Sequence, residues 1–475
     1  LPFAAAVFGP ILYAQKSEIA MTKNISRRQL LKTIGLTTVA GALAACAPPA
    51  AAPAAPASGA AAPTTAPAAD GKVSLKWDTF RAPGTGWNEE RIKTFTEKNP
   101  NVEIEFRPLT GASQQDNYGK MYAQFAAGDL GDVIAFDPSH FHFWRAINKG
   151  IITPLDDLAK SDNTDLTQWY EQFMNLQRVN GKLYGLPSWG WAGQDTMVIN
   201  AIPFKEAGLT LPDPTAHETS MDTYAEWARK LYQKDSVFGL ATTYDEGHLV
   251  TLTRAFNSDL IDAEGKKSLL ATDTKAQDAL RWAYKLAVEE KIMPRPADMA
   301  DMVAAQVDGK VIMRWGGSLD VRNYKKAITG GAKGEVAQGL LPMRTDGKAP
   351  SQIRGGTWNI LQTSANPGVA YQFLKHITSM EGSLGFNLVG GQGAFVRPDV
   401  VAELIKKDAI HEWFIPNLEN GIIAHAPANS RGREYNDACS NWGTKMMDPN
   451  ENIPFEQGLK DLHDNIQKVL DMEPA

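Results

Sequence analysis

The residues best suited to chemistry are tryptophans set beside glycines. Trp189-Gly190-Trp191-Ala192-Gly193, Trp315-Gly316-Gly317-Ser318 and Gly355-Gly356-Thr357-Trp358 all carry this pairing, in a chain with 12 Trp. An indole offers a large rigid apolar face and a single N–H donor, and a neighbouring glycine lets the backbone approach whatever the ring touches. That combination suits a solute with apolar C–H faces and a belt of hydroxyls, which is the chemistry of a sugar. Asp137 is the best polar partner, because a carboxylate accepts two hydroxyls at once; Asp320 and Arg354 are further candidates. The competing reading is packing inside a lobe for each Trp, and a cap on the turn at Pro138 for Asp137.

Other chemistries find less support. His140-Phe141-His142 places two imidazoles close together, but no Cys or third His completes a metal site, and no metal or cofactor is expected. The pairs Gly316-Gly317, Gly330-Gly331, Gly355-Gly356 and Gly390-Gly391 are neither dinucleotide nor phosphate-loop signatures. A secreted glycoside hydrolase needs two carboxyls flanking the bond, a role in which Asp137 and Asp320 can be cast. With 54 Asp and Glu in the chain, however, such a pair carries no information. A peptide or polyamine binder and a sensor module stay open, although a polyamine would want several carboxylates around its charge. The net charge of −6 argues against nucleic acid as a partner.

These residues need elements to hold them. Val73-Ser74-Leu75-Lys76-Trp77 and Val102-Glu103-Ile104-Glu105-Phe106 alternate apolar and polar side chains as strands do, and Asp132 to Phe136 is a short apolar run. Helical spacing fills the intervals at 87–98 and 116–127, closed by Asn99-Pro100 and Gly128. This order predicts a mostly parallel sheet covered by helices, with ligands beyond the carboxyl ends of the strands. Thr79, Arg81, Trp87 and Asn88 follow the first strand; Phe136, Asp137, Ser139 and His140 follow the third. Amphipathic helices are predicted at 223–233 and 275–290, where Trp282 and Tyr284 read as packing residues. Trp77 and Trp442 read as core, and Cys439 as a small buried hydrophobe.

The first part of the chain reads as an address. Residues 1–20 precede Met21 and read as an upstream extension; 21–45 hold Arg27-Arg28, an apolar middle and Leu43-Ala44-Ala45 before Cys46. A basic head, apolar run and small-residue cleavage site make an export signal. The paired arginines resemble the twin-arginine motif, and Leu-Ala-Ala-Cys resembles a bacterial lipobox that acylates Cys46. Ala/Pro-rich 46–71 then cannot build a core and reads as a tether. The expected protein is extracytoplasmic, held at the membrane through lipid alone.

Beyond the tether the chain resembles the family-1 extracellular solute-binding proteins, the group that includes maltose-binding protein. The resemblance rests on Phe95 to Ile104, Phe125 to Val133, Gly150 to Asp156, Asn180-Gly181-Lys182-Leu183-Tyr184-Gly185-Leu186-Pro187, Phe204 to Leu209, Asp308 to Met313 and Gly356 to Ile377, in the family's order. It implies an α/β, two-lobed periplasmic-binding-protein fold of type II, with discontinuous lobes joined by a hinge: 72–192 with 337–390, and 193–336 with 391–475. It implies, too, a non-catalytic monomer that closes around its ligand and meets ABC-importer permease subunits. Trp189, Trp191, Trp315, Gly317, Gly356 and Trp358 fall at cleft positions of the family, while Leu319 stands where it often has Trp. Arg431, with Arg433 and Tyr435, lies in a loop expected to close over the ligand.

Overall fold

The computed structural model describes residues 71–474 except 80–86, 110–113, 139–140, 194–195, 300, 389–394 and 424–426. The segments expected to be an export signal and a tether, with Cys46, lie outside the described residues, as do Arg81, Ser139, His140 and the side chain of Trp87.

The first sheet grows from the predicted βαβαβ run: β1 (Val73–Thr79), α1 (Trp87–Lys98), β2 (Val102–Pro108), α2 (Gln114–Ala126), β3 (Val133–Phe136) and then α3 (Phe141–Asn148). Strand β1 lies between β2 and β3, parallel to both, with Val73 opposite Val102 and Trp77 opposite Val133. Alternation sends Leu75, Trp77, Val102 and Ile104 into one core. Within it the Trp77 ring meets Phe106, Trp358 and Phe373 edge-on at 5.1, 5.1 and 5.2 Å, the geometry aromatic quadrupoles favour.

The chain then runs through β4 (Leu186–Gly193) into a second sheet made of β5 (Thr196–Asn200), β6 (Phe238–Ala241), β7 (Val311–Gly316) and β8 (Val336–Leu340), ordered β8-β5-β7-β6. Its helices include α4 (Met221–Leu231), α5 (Glu246–Ala255), α6 (Thr274–Tyr284) and α7 (Ser318–Thr329). Ser220 and Asp245 start α4 and α5 by accepting from backbone N–H groups that lack a partner inside the helix. The chain returns through β9 (Gln352–Ile360), α8 (Pro367–Ile377), α9 (Pro398–Lys407) and the short β10 (Ile422–Ile423). The order β10-β9-β3-β1-β2, with β4 also on β9, completes the first sheet. Finally α10 (Gly432–Met446) and α11 (Phe455–Leu470) pack with Leu249, Leu260 and Leu280 in a core of their own, which buries Cys439 and Trp442.

Strand pairing and packing tie the stretches around residues 337 and 391 to the two sheets. Strand β8 hydrogen-bonds antiparallel to β5, so Val336–Leu340 belongs to the second sheet. Phe395, Val400, Leu404, Phe414 and Leu418 lie in the first core, and β10 pairs with β9. An amphipathic helix shows which of its faces is buried but not which sheet covers that face.

Candidate ligand-binding site

Strands β6 and β7 run parallel and end side by side, Ala241 opposite Arg314. Each leads into a helix N-terminus. Asp245 accepts from the His248 backbone N–H at 3.1 Å to cap α5, and the Gly317 N–H donates to Asp320 at 2.8 Å where α7 begins. Around these ends lies a cavity of about 560 Å³. Its polar wall is Thr243, Asp245, His248, Asp301, Arg314 and Asp320; its apolar wall includes Tyr244, Trp315, Met299, Met302 and Val303. That volume falls in the range of roughly 300–1,000 Å³ usual for small-molecule pockets, which are apolar with a few placed polar groups.

The polar wall is already charged and braced. Arg314 donates to Asp320 at 3.0 Å and to Gln306 at 3.1 Å. Burial pushes the Asp245 carboxyl up, but bonds from His248 and Thr243 outweigh it and hold the carboxyl well below the usual range. An ionised carboxylate only accepts, so the His248 Nδ1 at 3.0 Å from Asp245 carries the proton. Trp315 is only 2% exposed, and its ring stands edge-on to His248 at 6.1 Å.

The first sheet reaches this site along β9. The C-terminal half of β9 pairs with β3, Thr357 opposite Phe136, so its first residues run on past the end of β3. There Gln352 donates to the Gly247 carbonyl at 2.6 Å, and Arg354 donates to Glu246 at 2.7 Å. Burial disfavours the Arg354 charge most, yet Glu246, with Asp137 and Asp245 beyond it, raises the guanidinium above its usual pKa. One cation thus bonds to Glu246 at the start of α5 and feels the charges of Asp245 beside it and of Asp137 after β3.

The structure sorts the expected site residues. Trp315, Gly317 and Asp320 share the cavity end of the second sheet, and Arg354, whose charge Asp137 favours, bonds to Glu246 beside it. Trp189 and Trp191 are half-buried on β4, opposite Gly356 and Arg354. Phe136, expected at the ligand, is fully buried between Tyr118 and Phe143, so its side chain fills core. Trp358 packs its ring on Trp77 and Trp189 inside the first lobe. Gly356 is the seat of Trp189: a Cβ there would fall 1.8 Å from the indole. Thr79, the last residue of β1, and Asn88, in the first turn of α1, are both buried. Arg431 is held by Glu434 at 2.9 Å and by the Glu473 carbonyl at 3.1 Å, beside the C-terminal helix, while Tyr435 is buried in the core there. His142 stacks on Tyr118 at 3.7 Å, a packing contact, and no cluster of three metal-ligating side chains occurs among the described residues.

Asp245, Glu246, His248 and Arg314 were not picked out from sequence. The signal for the first three was Thr-Tyr-Asp-Glu-Gly-His at the end of an apolar run, a helix-start pattern that looks purely structural.

The sequence profile of the bacterial extracellular solute-binding proteins matches residues 77–383. A curated relative, the arabinooligosaccharide-binding protein of Bacillus subtilis (strain 168), is 24% identical over 226 residues, 48% of this chain and 50% of that protein. The chain therefore spans about half the length of the curated relative it matches. Among solved structures, a sugar transporter from Rhizobium etli in an open conformation is similar, with a TM-score of 0.68, 18% identity and coverage of 83% of this chain and 99% of that one. An ABC substrate-binding protein from Listeria monocytogenes in complex with cycloalternan has a TM-score of 0.67 and 16% identity, covering 85% and 100%. These likenesses establish a type II periplasmic-binding-protein fold.

Proposed function

Because the chain belongs to the bacterial extracellular solute-binding proteins, we propose that it captures a mono- or oligosaccharide between its lobes and delivers it to an ABC importer. The observation that carries this reading is the cavity at the ends of β6 and β7, whose lining sets the Trp315 indole together with the ionised Asp245 carboxylate and with Asp320 braced by Arg314. Such a wall offers hydroxyls fixed acceptors and sugar C–H faces an apolar surface. The arabinooligosaccharide-binding relative supports the same substrate class.

Binding without turnover accords with the carboxylates' engagements: Asp320 caps α7 and pairs with Arg314, and Asp137 lies by Arg354. We assign 72–192 with 341–423 to one lobe and 193–340 with 427–474 to the other, from the sheet and core each stretch joins. Closure would then turn on β4 and β9. Export by the 21–45 signal and acylation of Cys46 would hold the protein at the outer face of the membrane, and among the described residues no helix is long and apolar enough to cross one.

A thermal-shift screen of the purified protein against arabino- and malto-oligosaccharides, amino acids and polyamines tests this. A ligand at 100 times its Kd adds about 2.7 kcal/mol of stability. A sugar-specific shift without product formation is expected. A shift with polyamines or amino acids alone would overturn the sugar, and release of free sugar from a glycoside would overturn the binding role.

A further inference from the structure

Three carboxylates line the cavity, and they are not equally engaged. Asp320 accepts from the Arg314 guanidinium at one oxygen, at 3.0 Å, and from the Gly317 N–H at the other, at 2.8 Å. Both oxygens of Asp245 are bonded as well, one by the His248 backbone N–H at 3.1 Å and the other by the Thr243 hydroxyl at 2.6 Å. Asp301 differs. One of its oxygens accepts from the Ala304 N–H at 2.9 Å and so caps the short helix Met302–Val307. Among the described residues its second oxygen has no donor. The residue is exposed, so that oxygen is open to a solute in the cavity. A carboxylate oxygen only accepts, and what Asp301 lacks is therefore a donor.

The surrounding charges decide which donor fits. Arg314 is matched by Asp320, and His248 faces Asp245 at 3.0 Å. Just outside the lining, Arg354 is matched by Glu246 at 2.7 Å and Arg295 by Asp298 at 3.0 Å. No described cation pairs with Asp301, and the start of its own short helix, worth at most roughly half a positive charge, offsets it only in part. A negative charge is thus left over at one place in the wall. The neighbouring apolar lining of Met299, Tyr244 and Trp315 suits the C–H body of a sugar, and aromatic faces attract a cation rather than repel it.

We propose that Asp301 is the ligand-facing acceptor of the cavity, and that it selects a sugar bearing an ammonium group over its neutral counterpart and rejects one bearing a carboxylate. This rests on the sugar-binding reading above and names the class of sugar. Isothermal titration at pH 6, where a sugar amine is protonated, tests it with glucosamine and its β-1,4-linked trimer, glucose and cellotriose, and glucuronate. The proteins are wild type, Asp301→Asn and Asp301→Ser. Asn and Ser both cap helices, so these variants remove the charge and keep the bond to the Ala304 N–H, and unliganded melting should stay close to that of wild type. Wild type should bind the amine about tenfold or more tighter than the neutral sugar of the same length, equivalent to about 1.4 kcal/mol, with glucuronate weakest. In both variants the amine and neutral sugars should bind alike. A purely structural role for Asp301 would lower all affinities together and leave the ratio unchanged. Equal wild-type affinity for amine and neutral sugars, binding of neutral sugars alone, or an amine preference that survives in both variants overturns the Asp301 assignment and leaves the sugar reading intact. Binding of no sugar, arabino- and malto-oligosaccharides included, while another solute class binds overturns both.

Discussion

At the end of the first sheet, Gly356 lies beneath the indole of Trp189; at the end of the second, Gly316 lies beside the carboxylate of Asp320. Both glycines sit near a tryptophan in sequence, and in both places an added Cβ would collide, at 1.8 Å from the Trp189 ring and at 2.5 Å from the Asp320 oxygen. In the first region the space serves internal packing: Trp189, Trp358 and Trp77 stack edge to face into the core. In the second it lets a charged side chain fold back to cap α7 and pair with Arg314 at the mouth of a cavity. A glycine near a tryptophan therefore marks a ring seat in one region and a wall of the candidate site in the other. What separates them is whether the neighbouring group is a rigid ring or a carboxylate with ligand-facing work left to do.

The two regions are joined by Arg354, and removing it should have the largest effect. Glu246 is only 7% exposed, and Arg354→Ala would leave it beside Asp245 and Asp137 without their shared cation. With the guanidinium partly exposed, the cost should fall below the ~3–5 kcal/mol of a fully buried pair, at about 2 kcal/mol. Urea unfolding at neutral pH should show that loss, together with weaker coupling of ligand binding to lobe closure in solution scattering. A loss below about 1 kcal/mol would show that the strand ends do not depend on one another.

Next in size comes the glycine pair itself. Gly356→Ala must displace a packed indole and should cost about 1–3 kcal/mol, as overpacking does. Gly316→Ala meets a side chain that can swing, so the expected cost is nearer the ~1 kcal/mol of a lost helix cap. Sugar affinity should follow the opposite order, hurt more by Gly316→Ala because Asp320 and Arg314 line the cavity. Equal stability losses with equal affinity losses would erase the distinction between the two regions.

This contrast explains what was legible in the sequence. Alternation in Val73 to Trp77 and Val102 to Phe106 fixed the face each side chain takes, and the βαβαβ order predicted the parallel pairing of β1 with β2 and β3. Those are local or near-neighbour properties. The docking of Gln352 and Arg354 on α5 joins residues more than a hundred positions apart and leaves no periodic trace. A glycine beside a tryptophan reads the same whether a ligand or another ring fills the gap, so Gly356 and Trp358 pointed equally to site and core. Asp245 looked like an ordinary helix cap because it is one; its place in the site comes from β6 and β7 ending together.

On the lobe assignment proposed above, α7 also meets the 395–423 segment away from Arg354, and that second junction should respond to pH. Lys325 on α7 pairs with Asp408 at 2.7 Å, and the Arg322 guanidinium lies over Phe395 at 5.1 Å. His411 is packed between these groups, its ring 5.9 Å from Phe395. Burial above all, helped by Arg322 and Lys325 and opposed by Asp408, pushes its pKa down to about 4. In the unfolded chain an imidazole titrates near ~6.5. Between those values the unfolded state holds the extra proton, so the stability of neutral His411 is intact above pH ~6.5 and is lost as pH falls toward ~4. After allowance for solvent screening, the expected loss between pH 7 and 5 is about 1 kcal/mol. Urea unfolding at both values should show wild type losing that much more than His411→Gln. At the first junction Arg354 keeps its charge throughout, so Arg354→Ala should destabilise by a similar amount at either pH with respect to its own guanidinium. Parallel losses in wild type and His411→Gln would mean that the ring takes up its proton in the fold as readily as in the open chain, and that α7 rests on the 395–423 segment without excluding a charge.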